Sequence, residues 1–169
     1  VSALFNNIDY ANSTVEGWQN ETGTGAFLSR VQTAEVWNQS NFNVYQTLAD
    51  MPAGAYEIST NGFYRSANNV NNYAEWEAEE VVGAAYLYAG GNKTLFHNVA
   101  EYAGEQDANH TAGVDGDAET ATLFVPNSNN NAHYIFYEEG EAVNKVTTGL
   151  VEAGDLTIGV KGENLEGDA

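Results

Sequence analysis

Tyr73 and Trp76 lie in the stretch from Ser66 to Glu80, among Asn68, Asn69, Asn71, Asn72, Glu75 and Glu77. This combination suits one kind of chemistry. A planar ring stacks on the apolar face of a pyranose while neighbouring amides and carboxylates hydrogen-bond its hydroxyls. Arg65 closes the run "GFYR" and is one of only 5 basic residues, so it is either a donor to sugar hydroxyls or a salt-bridge partner for an acidic surface. Trp76, Tyr73, Arg65, Asn71, Asn72 and Glu75 are therefore the candidate ligand-binding residues. The competing reading is a polar surface loop with Trp76 packed back on the body of the protein. Trp18 and Trp37 are expected in the core, as large apolar residues in framework segments.

A second constellation is acidic. "GVDGDAE" offers Asp115, Asp117 and Glu119 at alternate positions, and Asp9 with Glu16 could join them. Calcium is the metal such oxygens would take, although the spacing is not that of a twelve-residue EF-hand loop, and a solvated acidic loop is the alternative. Catalysis finds little to work with. His97, His110 and His133 have no ligand spacing, there is no Gly-x-Ser-x-Gly elbow, and no glycine-rich loop opens a helix to hold phosphate. Acid pairs can be drawn at will from 24 acidic residues, but a glycosidase needs two at a fixed separation across a cleft. The sequence reads as non-catalytic.

The elements that would carry these residues are strands. Short alternating apolar runs separated by turn residues point to an all-β sandwich or barrel. One strand is expected over Val44 to Leu48. After a turn at Pro52 and Gly54, another has Tyr56, Ile58, Thr60, Gly62 and Tyr64 on its core face and Glu57, Ser59, Asn61, Phe63 and Arg65 opposite. Further strands are expected at Ala84–Ala89, Ala121–Pro126, Ala142–Val151 and Leu156–Lys161, with turns at Gly90-Gly91 and Ala153-Gly154-Asp155. A short helix fits Asn129 to Tyr137, because Ala132, Ile135 and Phe136 share a face at helical spacing. Ser66 to Glu80 and Glu101 to Glu119 read as long surface loops.

Length and charge narrow the partners. At 169 residues the chain suits one domain, residues 1–169, with enough surface to bury a core unaided, and without cysteine it has no disulfide framework. A formal charge of -19 repels phosphate backbones, which disfavours nucleic acid and anionic membrane. Abundant Asn, Thr, Gly and Tyr suit a neutral, hydroxyl-rich ligand. The chain begins at Val1 and carries no apolar run long enough for membrane insertion, so it reads as a processed or excised segment of a larger protein.

The runs "AEVWNQSNFNVYQTLADMPAGAYEISTNGFYR", "AYLYAGG" and "GLVEAGDLTIGVK", opened by "NNIDYANSTVEGW", resemble a recurrent module of secreted and surface proteins of the Bacteroidetes. Those modules are similar to carbohydrate-binding modules with a galactose-binding-like jelly-roll fold. The resemblance implies a β-sandwich of that type, an extracellular or cell-surface setting and recognition of a neutral glycan or polysaccharide. One departure matters. Such modules usually close with a further strand, and this chain ends at "KGENLEGDA" without it. The expectation is a sandwich lacking its last strand, with self-association through an open sheet edge, and the calcium that relatives hold beside that strand is in question. The alternative function is accordingly a structural or adhesive module of a surface assembly or filament, completed by a donated strand.

Overall fold

The computed structural model describes residues 15–21, 27–37, 39–65, 72–81, 83–105, 107, 123–126 and 128–165. These residues build an all-β sandwich whose sheets are antiparallel apart from one short parallel pair. In chain order the strands are β1 (Gln19–Asn20), β2 (Phe27–Arg30), β3 (Thr33–Val36), β4 (Phe42–Met51), β5 (Gly54–Asn61), β6 (Phe63–Tyr64), β7 (Ala84–Ala89), β8 (Asn92–Leu95), β9 (His97–Asn98), β10 (Gly104–Glu105), β11 (Leu123–Phe124), β12 (Val143–Leu150) and β13 (Gly154–Glu163). Helical segments are α1 (Asn72–Glu77), a 3-10 turn (Val99–Tyr102) and α2 (Asn129–His133), which runs on into a π-helical turn (Tyr134–Glu138).

One layer is a five-stranded sheet in the order β1-β4-β13-β7-β8. Alternation decides its two faces. Phe42, Val44 and Leu48 of β4, Ala85, Leu87 and Ala89 of β7, and Leu156 and Ile158 of β13 are buried together inward, so the intervening residues must point out. The facing layer contains the β5–β12 pair, whose Ile58, Tyr56, Val146 and Leu150 pack on that core. Gly90, at φ 56°, turns β7 into β8, a left-handed conformation that glycine adopts without Cβ strain. A smaller cluster of Phe124, Ile135 and Ala142, with Phe63, Tyr102 and Phe136 against it, closes one end.

The strand expected to run from Tyr56 to Tyr64 is interrupted at Gly62, giving β5 and then β6. A Cβ at Gly62 would collide with the Phe96 ring, and beyond the break β6 leaves β5's sheet to pair in parallel with β9. Tyr56, Ile58 and Tyr64 pack on the main core as expected. Phe63, on the opposite face, is half-buried as well, with its ring centroid 5.0 Å from that of Phe136 in the second cluster. Asn144 ties this junction together. It is 3% exposed, its Nδ2 donates to the carbonyls of Gly62 at 2.7 Å and Ala142 at 2.9 Å, and its Oδ1 accepts from the His97 amide at 3.0 Å.

The stretch from Ser66 to Glu80, expected as a loop, contains α1. The segment Asn72–Glu77 holds Ala74 and two glutamates, all good helix formers. Glu79, at φ 59°, ends the helix by going left-handed. The expected helix near Asn129 is present, with the Ser128 hydroxyl accepting from the Asn131 amide at its start.

Candidate functional site

Tyr73 and Trp76 lie one turn apart on α1 and share a shallow depression with Glu77, Glu79, Val81 and Ala100. Helical spacing brings Tyr73 beside Glu77, and the Tyr73 hydroxyl donates to Glu77 Oε1 at 3.1 Å. That bond, then partial burial, raises the Tyr73 pKa, because ionising the phenol would set two anions together. The hydroxyl therefore stays neutral, its lone pairs accept, and the carboxylate stays aligned as a further acceptor. Trp76 is 37% exposed, so part of its indole meets water at the rim of the depression.

The support beneath is fixed by a capping box. Asn98 Oδ1 accepts from the Ala100 amide at 2.9 Å, and Glu101 Oε1 accepts from the Asn98 amide at 2.7 Å. The other Glu101 oxygen, Oε2, lies 2.7 Å from His97 Nδ1. These bonds hold Ala100, which is buried and lines the depression, under the short helix.

The remaining candidates are spread out. Glu75 lies on α1 and is half-buried but does not line the depression. Asn72 contributes backbone to α1, while Asn71 lies outside the described residues, as do Asp115, Asp117 and Glu119. Among the described residues no group of three or more His, Asp or Glu side chains could hold a metal ion. Arg65 belongs to a different surface. Its guanidinium carbon lies 5.7 Å from the centre of the Trp37 ring, a cation–π distance.

That second surface is a groove of about 490 Å³. Gln32–Trp37 line one side and Ser59–Arg65 the other, with Phe42, Val44 and Leu165 among the residues between. A strand that offers a face to a cavity lines it with alternate residues, and one that offers its edge lines it with consecutive ones. Both walls here are consecutive runs that include β3 and the end of β5, and the α2 segment lines the groove as well, with Asn129 Nδ2 donating to Thr33 Oγ1 at 3.2 Å and the Tyr137 hydroxyl to the Gln32 carbonyl at 3.1 Å. Among the described residues β3 pairs only with β2, and β5 only with β12.

Two aromatic features depart from the sequence reading. Trp37, expected in the core, is 45% exposed at the mouth of this groove. Trp18 packs against the main core as expected. On the five-stranded sheet, the sequence reading names neither Tyr86 nor Tyr88 as a candidate, although in "AYLYA" they alternate with three buried residues. No helix among the described residues is long and apolar enough to cross a membrane. Comparison of the chain with protein-family models, curated proteins and solved structures finds no match.

Proposed function

We propose that this chain is a non-catalytic module, a β-sandwich of jelly-roll type in an extracellular or cell-surface protein, that binds a neutral glycan by ring stacking and hydrogen bonding. The observation that carries this reading is the partly exposed Trp76 indole beside the fixed Tyr73–Glu77 pair. An indole offers a large rigid surface with little rotamer entropy to lose, and the pair offers oriented acceptors for sugar hydroxyls. The formal charge of -19 favours an uncharged ligand over an anionic one. The test is binding of a soluble polysaccharide panel to wild type and Trp76→Ala. The variant should bind about 5- to 150-fold more weakly, the equivalent of ~1–3 kcal/mol, with its melting temperature unchanged. Unchanged binding with a lowered melting temperature makes Trp76 a packing residue and removes this site.

A second reading is favoured by the groove. Among the described residues β3 and β5 are each paired on one side only, and both border a groove lined in part by apolar residues that a further strand could enter, as in a structural or adhesive module completed by donation. Sedimentation over a range of concentrations tests it. Self-association that a Ser59→Pro edge variant reduces supports the slot, and a monomer at every concentration removes self-association through it.

A further inference from the structure

We infer that the outward face of the five-stranded sheet is a second glycan subsite, a platform for an extended neutral chain of pyranoses with equatorial hydroxyls that crosses the strands. This rests on the glycan-binding reading above and adds a site and a chain type to it. Register assembles the face. Gln19, Tyr45, Gly159, Tyr88 and Lys93 are paired in one row across β1, β4, β13, β7 and β8. In the next row Asn43, Lys161, Tyr86 and Leu95 are paired likewise, and the Glu21 amide donates to the Asn43 carbonyl at 3.0 Å.

Outward positions of a half-solvated sheet are ordinarily polar. Here three tyrosines occupy neighbouring ones, and Tyr86 and Tyr88 are held in place. The missing side chain of Gly159 makes room for two of them, because a Cβ there would lie 2.8 Å from both Tyr45 Cβ and the Tyr88 hydroxyl. Tyr88 thus leans over Gly159 and donates to Asn43 Oδ1 at 2.8 Å, while Asn43 Nδ2 donates to Glu21 Oε2 at 2.9 Å. Lys93 Nζ sits 3.8 Å from the centre of the Tyr86 ring. Rings fixed before binding lose little entropy on binding.

Spacing suggests how a chain would lie. The backbones of Tyr45 and Tyr88 are separated by one strand, hence by two inter-strand spacings of about 4.8 Å. Because the Tyr88 ring leans over that strand toward β4, the two tyrosines and Gly159 form one continuous strip along the row, which an extended chain crossing the strands could follow. Flat stacking needs axial C–H groups on one sugar face, which pyranoses with equatorial hydroxyls present. Charge points to a neutral chain. Two of the chain's three lysines, Lys93 and Lys161, lie here, and both pair with Glu163 at 3.6 and 2.7 Å. With Glu21 the four charges sum to zero on a protein of net -19, so this cluster favours neither an anionic nor a cationic chain.

The test is affinity electrophoresis in native gels containing hydroxyethyl cellulose, soluble xylan or soluble starch, with wild type, Tyr45→Ala, Tyr88→Ala, Lys161→Ala and Trp76→Ala. Wild type should be retarded by the two extended β-linked polymers and not by starch, whose α-linked chain coils. Tyr45→Ala and Tyr88→Ala should each raise the apparent dissociation constant about tenfold. Lys161→Ala, which leaves the rings and Gly159 in place, should raise it several-fold and covers the case in which a tyrosine variant does not fold. Wild-type retardation that these variants leave unchanged, or equal retardation by starch, overturns the subsite while the glycan-binding reading stands. No retardation of wild type by any polymer overturns both. Loss in the tyrosine variants with none in Trp76→Ala upholds the sheet face and removes the α1 depression.

Discussion

Replacing Gly159 with alanine probes the outward sheet face without touching a ring. A Cβ at this position would meet the Val44 carbonyl oxygen, and it would lie 2.8 Å from both Tyr45 Cβ and the Tyr88 hydroxyl. Carbon contacts are most favourable near 3.5–4.0 Å, so all three are repulsive. The tyrosine could swing away, giving up its bond to Asn43, but the carbonyl belongs to the paired strand β4 and can move only with it. Overpacking of this kind typically costs about 1–3 kcal/mol, and a backbone obstacle puts this case near the top of that range. Alanine in a strand recovers about 0.5–1 kcal/mol relative to glycine, leaving a loss of about 2 kcal/mol. For a protein of this length that is a fall of about 4–8 °C in melting temperature, read by circular dichroism. Gly91→Ala is the control, since no heavy atom lies within 4 Å of its added Cβ, and it should stay within about 0.5 kcal/mol of wild type. A Gly159→Ala protein that melts with wild type would refute the placement of Tyr45 and Tyr88 around that glycine.

Asn144→Ala should destabilise by about 3 kcal/mol, or ~6–12 °C, because it leaves the Gly62 and Ala142 carbonyls and the His97 amide without the side chain that satisfies them; a thermal melt checks it. The hydrogen bond from Lys161, foremost, holds the Glu163 carboxyl below its usual pKa. Its contribution is therefore present above the unfolded value and is lost as pH falls through the lower folded one. Melts from pH 6 to pH 2.5 should show wild type losing its advantage over Glu163→Gln across that interval, and a constant difference would contradict the pairing. Calcium, the metal expected for Asp115, Asp117 and Glu119, predicts that a chelator lowers the melting temperature and that added calcium restores it, and an unchanged melt removes the metal.

Local patterning made the strands legible. The alternation in "FNVYQTLADM" and "AYLYA" marks β4 and β7 because the side-chain period of a strand is two and each has one face on the core. Alternation sets Phe63 opposite the core only in an unbroken strand, whereas at Gly62, where the Phe96 ring leaves no room for a Cβ, the chain passes from β5 to β6, whose partner β9 is distant in sequence. Trp37 was misplaced because composition does not say where a strand edge meets a groove. The helix α1 is not legible because the Asn-rich stretch from Ser66 to Glu80 reads as a long surface loop, whereas Ala74 and the glutamates favour a helix locally. The pairing of Tyr73 with Trp76 was legible from their closeness along the chain. The row of Tyr45, Gly159 and Tyr88 was not, because three strands remote in sequence form it and only the pairing of β13 between β4 and β7 brings them together.

Glycan binding is the central claim, and amide chemical-shift mapping during a polysaccharide titration tests it most directly. Hydroxyethyl cellulose oligomers added to the labelled protein should shift, saturably, amides of Tyr73–Val81 together with those of Asn43, Tyr45, Tyr86, Tyr88 and Gly159. A titration with these oligomers and with xylan oligomers that moves none of them, while the spectrum stays that of a folded protein, would contradict the account.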